Sequence, residues 1–194
     1  MRRGRLEAFS DGVLAIIITI MVLELRAPKG TDLSALRALL DVFLAYVLSF
    51  VYVGIYWNNH HHMLHTVERV TGAILWANLH LLFWLSLIPF ATEWAGVSRF
   101  AAAPTALYGA ILLMSAIAYF LLQRAIMSAH GPDSVLRRAV GGDWKGKISP
   151  LLYLAAIPLA FAWPAAAASV YVAVALIWLV PDRRIENALA EGRE

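Results

Sequence analysis

Residues 5–25 read RLEAFSDGVLAIIITIMVLEL. From Gly12 to Leu23 the run is apolar except for Thr19, while Ser10 and Asp11 stand just before it. About 17–25 predominantly apolar residues cross the roughly 30 Å hydrocarbon core of a bilayer as one helix. Lipid offers the backbone no hydrogen-bonding partner, so a chain that crosses it does so as helices or as a closed barrel. This stretch therefore sets the fold class as an all-α membrane protein. Asp11 interrupts the start of the apolar run, and the LELRAPKG that ends it carries no small-x-small cleavage site. The segment is expected to stay in the mature protein.

The rest of the chain agrees in composition. Its 194 residues are 61% hydrophobic, with a mean hydropathy of +0.68. Charged residues make up 15%, against about 25% in soluble domains. Further apolar segments follow at 38–57, 70–91, 104–122, 148–163 and 164–180, which with 9–25 give six expected spans. The first four read as unbroken helices. The last two are short and meet at Trp163-Pro164, with Pro150 and Pro158 interrupting the ladder of the fifth. They read as two spans joined by a tight turn, with one long broken segment as the alternative.

The net charge is +3, but the basic residues lie in short pieces between apolar runs, so no nucleic-acid surface forms. The absence of cysteine excludes disulfides, thiol catalysis and zinc–thiolate sites. With six spans, one side of the membrane holds Arg2, Arg3, Arg5, Arg69, Arg124, Arg137, Arg138, Lys145, Lys147, Arg183, Arg184 and Arg193. Only Arg26, Lys29, Arg37 and Arg99 face the other side. The positive-inside rule then places both termini in the cytoplasm.

The polar residues of the first helix sort by angle. At about 100° per residue, Phe9, Gly12, Val13, Thr19, Ile20 and Leu23 fall within about 60° of Ile16, whereas Ser10 and Asp11 lie about 120–140° away. One face is an aliphatic stripe with a single hydroxyl, and the other carries a serine and a carboxylate near the helix start. Intramembrane carboxylates face the protein interior and a partner, and the first turns of a helix favour negative charge. Asp11 and Ser10 thus read either as a capping and packing device or as ion contacts. The stripe reads either as packing surface or as a hydrophobic constriction, which in channels gates by dewetting.

Arg5-x-x-x-Phe9-Ser10-Asp11, followed by GVLAIIITIMVLEL, resembles the signature of the transmembrane protein 175 family of endosomal and lysosomal potassium channels and their prokaryotic relatives. YWNNHHHMLHTVERV (56–70) and ANLHLLFWLSLIPFATEW (77–94) are similar to that family's second-to-third helix region. The resemblance covers residues 5–95. It implies six transmembrane helices per subunit and a homotetramer whose first helices line a central pore. It also implies a constriction of Ile16, Ile20 and Leu23, with Thr19 as a polar layer linked to potassium preference. Ser10 and Asp11 would be structural, and His61, His65, Trp76, Asn78 and His80 are candidate partners. No cofactor is implied beyond permeant K⁺ ions.

Two other motifs carry less. VYVGIY (51–56) is similar in letters to a carbonyl filter, but such a filter needs an extended loop and this stretch lies inside a span. His60, His61, His62 and His65 include one pair a helical turn apart, yet nothing fixes a third metal ligand. A secondary transporter of a small cation, coupled to protons, is the main rival, because transporters place ionisable groups and broken helices at mid-membrane. Here Asp11, Glu24, Asp41 and Glu93 all lie near span ends. No catalytic constellation supports an enzyme. The expectation is a multi-pass, potassium-permeable channel in a prokaryotic plasma membrane, with the lipid bilayer and monovalent cations as its partners. Glu24 at the outer mouth reads either as a charge that raises the local cation concentration or as a solvated charge at a helix end.

Overall fold

The computed structural model describes residues 2–28, 30–132, 134, 136–137 and 144–179, and the elements among them are all helical. In chain order they are α1 (Arg3–Leu23), a 3-10 segment (Leu33–Leu39), α2 (Leu40–His65), α3 (Gly72–Ser86), α4 (Ile88–Val97), α5 (Ala102–His130), α6 (Trp144–Ala162) and α7 (Pro164–Leu179). Four helical segments are long and apolar enough to cross a membrane: Arg3–Leu23, Leu33–His65, Gly72–Val97 and Ala102–His130. Pro164–Leu179 is a shorter apolar helix. Lys29, Arg138, Arg183, Arg184 and Arg193 from the charge balance, and residue 180 of the last expected span, lie outside the described residues.

Several boundaries differ from the sequence reading, among them the starts of α1 at Arg3 instead of 9 and of α6 at Trp144 instead of 148. The span expected at 70–91 is not one unbroken helix. It breaks at Leu87 between α3 and α4, with Pro89 in the first turn of α4. Proline has no N–H to return to the preceding turn, but Leu87 keeps right-handed helical angles (φ −86°, ψ −10°), so the chain keeps its helical hand across the break. Helix α2 continues past 57 to His65, which puts the histidine cluster on a helix instead of in a loop. Helix α5 continues past 122 to His130.

Only Trp163 separates α6 from α7, and Pro164 opens the new helix, where its missing N–H costs nothing. The two helices fold back on each other: Trp178 Nε1 donates to Ser149 Oγ at 2.9 Å, and the Tyr153 and Tyr171 rings lie 6.2 Å apart. A continuous helix would separate residues 153 and 171 by about 27 Å.

Helix α5 packs against α3, α4, α6 and α7, while α1 packs against α2, α3 and α4. Lipid tails are as apolar as leucine, so close packing and interhelical hydrogen bonds hold such a bundle together. Gly96 shows the first effect, since a Cβ built there meets Val42 Cα at 2.7 Å. The second runs through the bundle centre. Ser49 Oγ lies 2.6 Å from Thr92 Oγ1 and 2.8 Å from Tyr108 Oη. Tyr52 Oη donates to the Tyr171 carbonyl at 2.6 Å and accepts from Tyr153 Oη at 3.2 Å.

Candidate functional site

Helix α1 turns one side to its own subunit and the other away from it. Leu6, Ser10, Leu14, Ile17 and Met21 recur every three or four residues and are buried, which is the period of a helix seam. Ile16 is 58% exposed, Ile20 43% and Leu23 80%, and Thr19 is exposed among them. Thr19 Oγ1 donates to the Ile16 carbonyl at 2.9 Å. That bond uses the hydroxyl's only proton, so the oxygen lone pairs remain as outward-facing acceptors.

The polar face of α1 is tied inward by a directed chain. Ser10, which has no exposed surface, donates from Oγ to the Leu6 carbonyl at 2.9 Å and accepts from Asn78 Nδ2 at 3.0 Å. Asn78 Oδ1, now the free end of the amide, meets His60 Nε2 at 2.7 Å. An amide oxygen only accepts, so Nε2 carries the proton and His60 is the donor. Asp11 is held separately, by Trp57 Nε1 at 3.1 Å. Arg3 completes the end of the helix: its Nη1 donates to the His65 carbonyl at 3.1 Å, where a helix C-terminus favours a cation, and its Nε lies 3.4 Å from Glu7.

The expected partners therefore divide. Asn78 meets the motif, through Ser10 and not Asp11. His61 lies beside it, stacked 6.1 Å from the Trp57 ring and 4.4 Å from the His65 ring. Trp76 does not join: it is 75% exposed. His80 accepts from Trp84 Nε1 at 2.9 Å within α3. Arg5 and Phe9 face outward, and Arg3 makes the tie to α2. Sequence reasoning missed Trp57, the last residue of the second expected span, and His60, taken only with the histidine cluster. A signal for His60 was present: Ala45, Ser49, Tyr52, His60 and Met63 continue the buried seam of α2, and His61 and His65 fall off it.

At the other end of α1, Glu24 is the helix C-cap and is half-buried. Its Oε2 has no hydrogen-bond partner among the described residues. Burial, and after it the charge of Glu93, push its carboxyl from 4.5 up to about 7. Among the described residues no three His, Cys, Asp or Glu side chains converge as a metal site.

The family model described as endosomal/lysosomal potassium channel TMEM175 matches residues 5–89. A potassium channel of Chryseobacterium sp. (strain P1-3) is 58% identical over 192 residues, covering 99% of this chain and 100% of that one. The chain belongs to the TMEM175 family. Human TMEM175, named an endosomal/lysosomal proton channel, is 34% identical over 105 residues, which is 48% of this chain and 21% of the human protein. The crystal structure of a lysosomal potassium-selective channel TMEM175 homolog from Chamaesiphon minutus matches at a TM-score of 0.81 and 29% identity, covering 93% of this chain and 97% of that one. TMEM175 is a family of ion channels and not of enzymes.

Proposed function

We propose that the chain is a potassium-permeable cation channel of a bacterial plasma membrane. Four copies set their α1 helices around a central pore, and both termini are cytoplasmic. The observation that carries this reading is the division of α1: its polar groups are satisfied inside the subunit, while Ile16, Ile20 and Leu23 face away from it with Thr19 between them. One α1 cannot enclose a pathway, so the pore requires an oligomer. A ring of aliphatic side chains makes a narrow, dewettable throat, and the Thr19 oxygens offer cation-attracting acceptors within it. The bacterial relatives named as potassium channels support the choice of ion, and the excess of Lys and Arg on the N-terminal side supports the orientation.

Single-channel recording in planar bilayers tests this. Ile16→Asn is expected to raise conductance and weaken the preference for K⁺ over Na⁺, and Thr19→Val to weaken that preference without widening the throat. Unchanged conductance and selectivity in both variants would remove α1 from the pathway. Slow, saturable, proton-driven flux without unitary currents would favour the transporter instead.

A further inference from the structure

One side chain fastens the loop between α2 and α3 to the end of α5. His130 is the last residue of α5, and Gly131 closes the helix behind it at φ +79°. The backbone N–H of Glu68 donates to His130 Nε2 at 3.0 Å, and that of Arg69 donates to the same atom at 3.2 Å. Nε2 therefore carries no proton. The proton of the ring sits on Nδ1, which donates to the Ile126 carbonyl at 2.9 Å. Among the described residues neither loop N–H bonds a backbone carbonyl outside the regular helices. One neutral tautomer of one imidazole thus serves both donors. The ring is partly exposed, and Glu68 and Arg69 are exposed, so water reaches the clamp.

The clamped loop joins the two helices that anchor α1. Helix α2 supplies Trp57, His60 and the His65 carbonyl, and α3 supplies Asn78. A proton on Nε2 would set a third N–H against two that already point at it and would strip both loop donors of their acceptor. Imidazole is the side chain that ordinarily changes charge between about pH 5 and 8. The charged and titratable neighbours on the loop are Glu68 and Arg69, with His61, His62 and His65 at the end of α2 and Arg3 and Glu7 on α1. Of the helices packed on α5, α3 carries only His80, α4 only Glu93, α6 Lys145 and Lys147, and α7 none.

We propose that His130 is a cytoplasmic pH switch. Neutral, it fastens the α2–α3 loop and keeps the anchors of α1 in place; protonated, it releases the loop, and conduction falls. This rests on the reading of α1 as the pore helix and of this end as cytoplasmic. A proton shifts such an equilibrium only by the difference in its binding to the two states. A hydrogen bond of this kind is worth roughly two- to tenfold, which sets the size of the effect.

The test is hydrogen exchange of the full-length protein in lipid nanodiscs, read by mass spectrometry on peptides covering residues 66–71, with H130Q beside the parent. The glutamine oxygen offers two lone pairs to the two N–H groups and does not titrate. Intrinsic exchange and every other histidine are common to both proteins, so their ratio isolates His130. The two are expected to exchange alike at about pH 8, with the parent roughly two- to tenfold faster at about pH 5. H130R, a permanent cation with no acceptor, should exchange faster than H130Q at both. A parent-to-H130Q ratio that does not change with pH overturns the proposal, and that arm decides even if H130R fails to fold. In planar bilayers the pH is then changed only on the side of the N-terminus, which leaves Glu24 at the other end untouched. Parent current should fall roughly two- to tenfold over the same range while H130Q current holds. Equal pH responses of the two currents overturn the switch. Absence of unitary currents in both would overturn the pore reading and the switch with it, while the exchange ratio still decides the clamp.

Discussion

Asn78 joins α1, α2 and α3, and replacing it with leucine is the sharpest test of how α1 is held. The substitution keeps the branched heavy-atom shape, puts two bulkier methyls in place of the amide and removes two hydrogen bonds, 3.0 Å to Ser10 and 2.7 Å to His60. Interhelical side-chain bonds in membrane proteins average ~0.6 kcal/mol, with a maximum of ~1.7. The two bonds alone predict about 1–3 kcal/mol. The leucine also strands a buried His60 N–H, which carries a desolvation penalty of its own, so the expected loss is about 2–3 kcal/mol. Ser10→Ala should cost less, about 1 kcal/mol, because Asn78 keeps His60. The two residues share a bond, so the double variant should lose about 1 kcal/mol less than the sum of the singles. Reversible unfolding in mixed detergent micelles, followed by circular dichroism, measures all four corners of the cycle. Losses that add within about 0.5 kcal/mol, as distant independent sites do, would refute the Ser10–Asn78 bond. An Asn78→Leu cost no larger than that of the exposed Trp76→Leu would refute the chain as a whole.

Three further outcomes follow from particular contacts. Glu24 titrates at about 7 in the fold against 4.5 ordinarily. Cation conductance is therefore expected to fall as pH drops through about 7, and Glu24→Gln should remove that step. For stability the sign is set by the extra proton held by the folded state: the contribution of Glu24 is present below 4.5 and is lost as pH rises through about 7. Gly96→Ala places a Cβ 2.7 Å from Val42 Cα; backbone cannot yield there, and a loss of about 1–3 kcal/mol is expected in the same unfolding assay. Trp57→Phe keeps an aromatic ring beside His61 but removes the N–H held by Asp11. It should cost about 1 kcal/mol with K⁺ over Na⁺ preference unchanged in bilayer recordings; altered selectivity would bring Asp11 to the ion.

The sequence by itself determined the membrane class and the two-faced nature of α1. Apolar run length answers to bilayer thickness, and the 100° step of a helix fixes which residues of a single helix share a side. Ile16, Thr19, Ile20 and Leu23 were legible for that reason, as was the separation of Ser10 and Asp11 from them. What each polar residue meets was decided only by tertiary structure. Asp11 and Trp57 are 46 residues apart, and Ser10 and Asn78 are 68 apart. Such pairings depend on where α2 ends and on how each helix is rotated against its neighbours. Continuing α2 to His65 put His60 on the helix beside α1. The break at Leu87 and the fold-back at Trp163 belong to the same class. Proline marks where a hydrogen-bond ladder is interrupted, but whether the helix resumes at once, as at Pro89, or the chain reverses, as at Pro164, depends on what the next helix packs against.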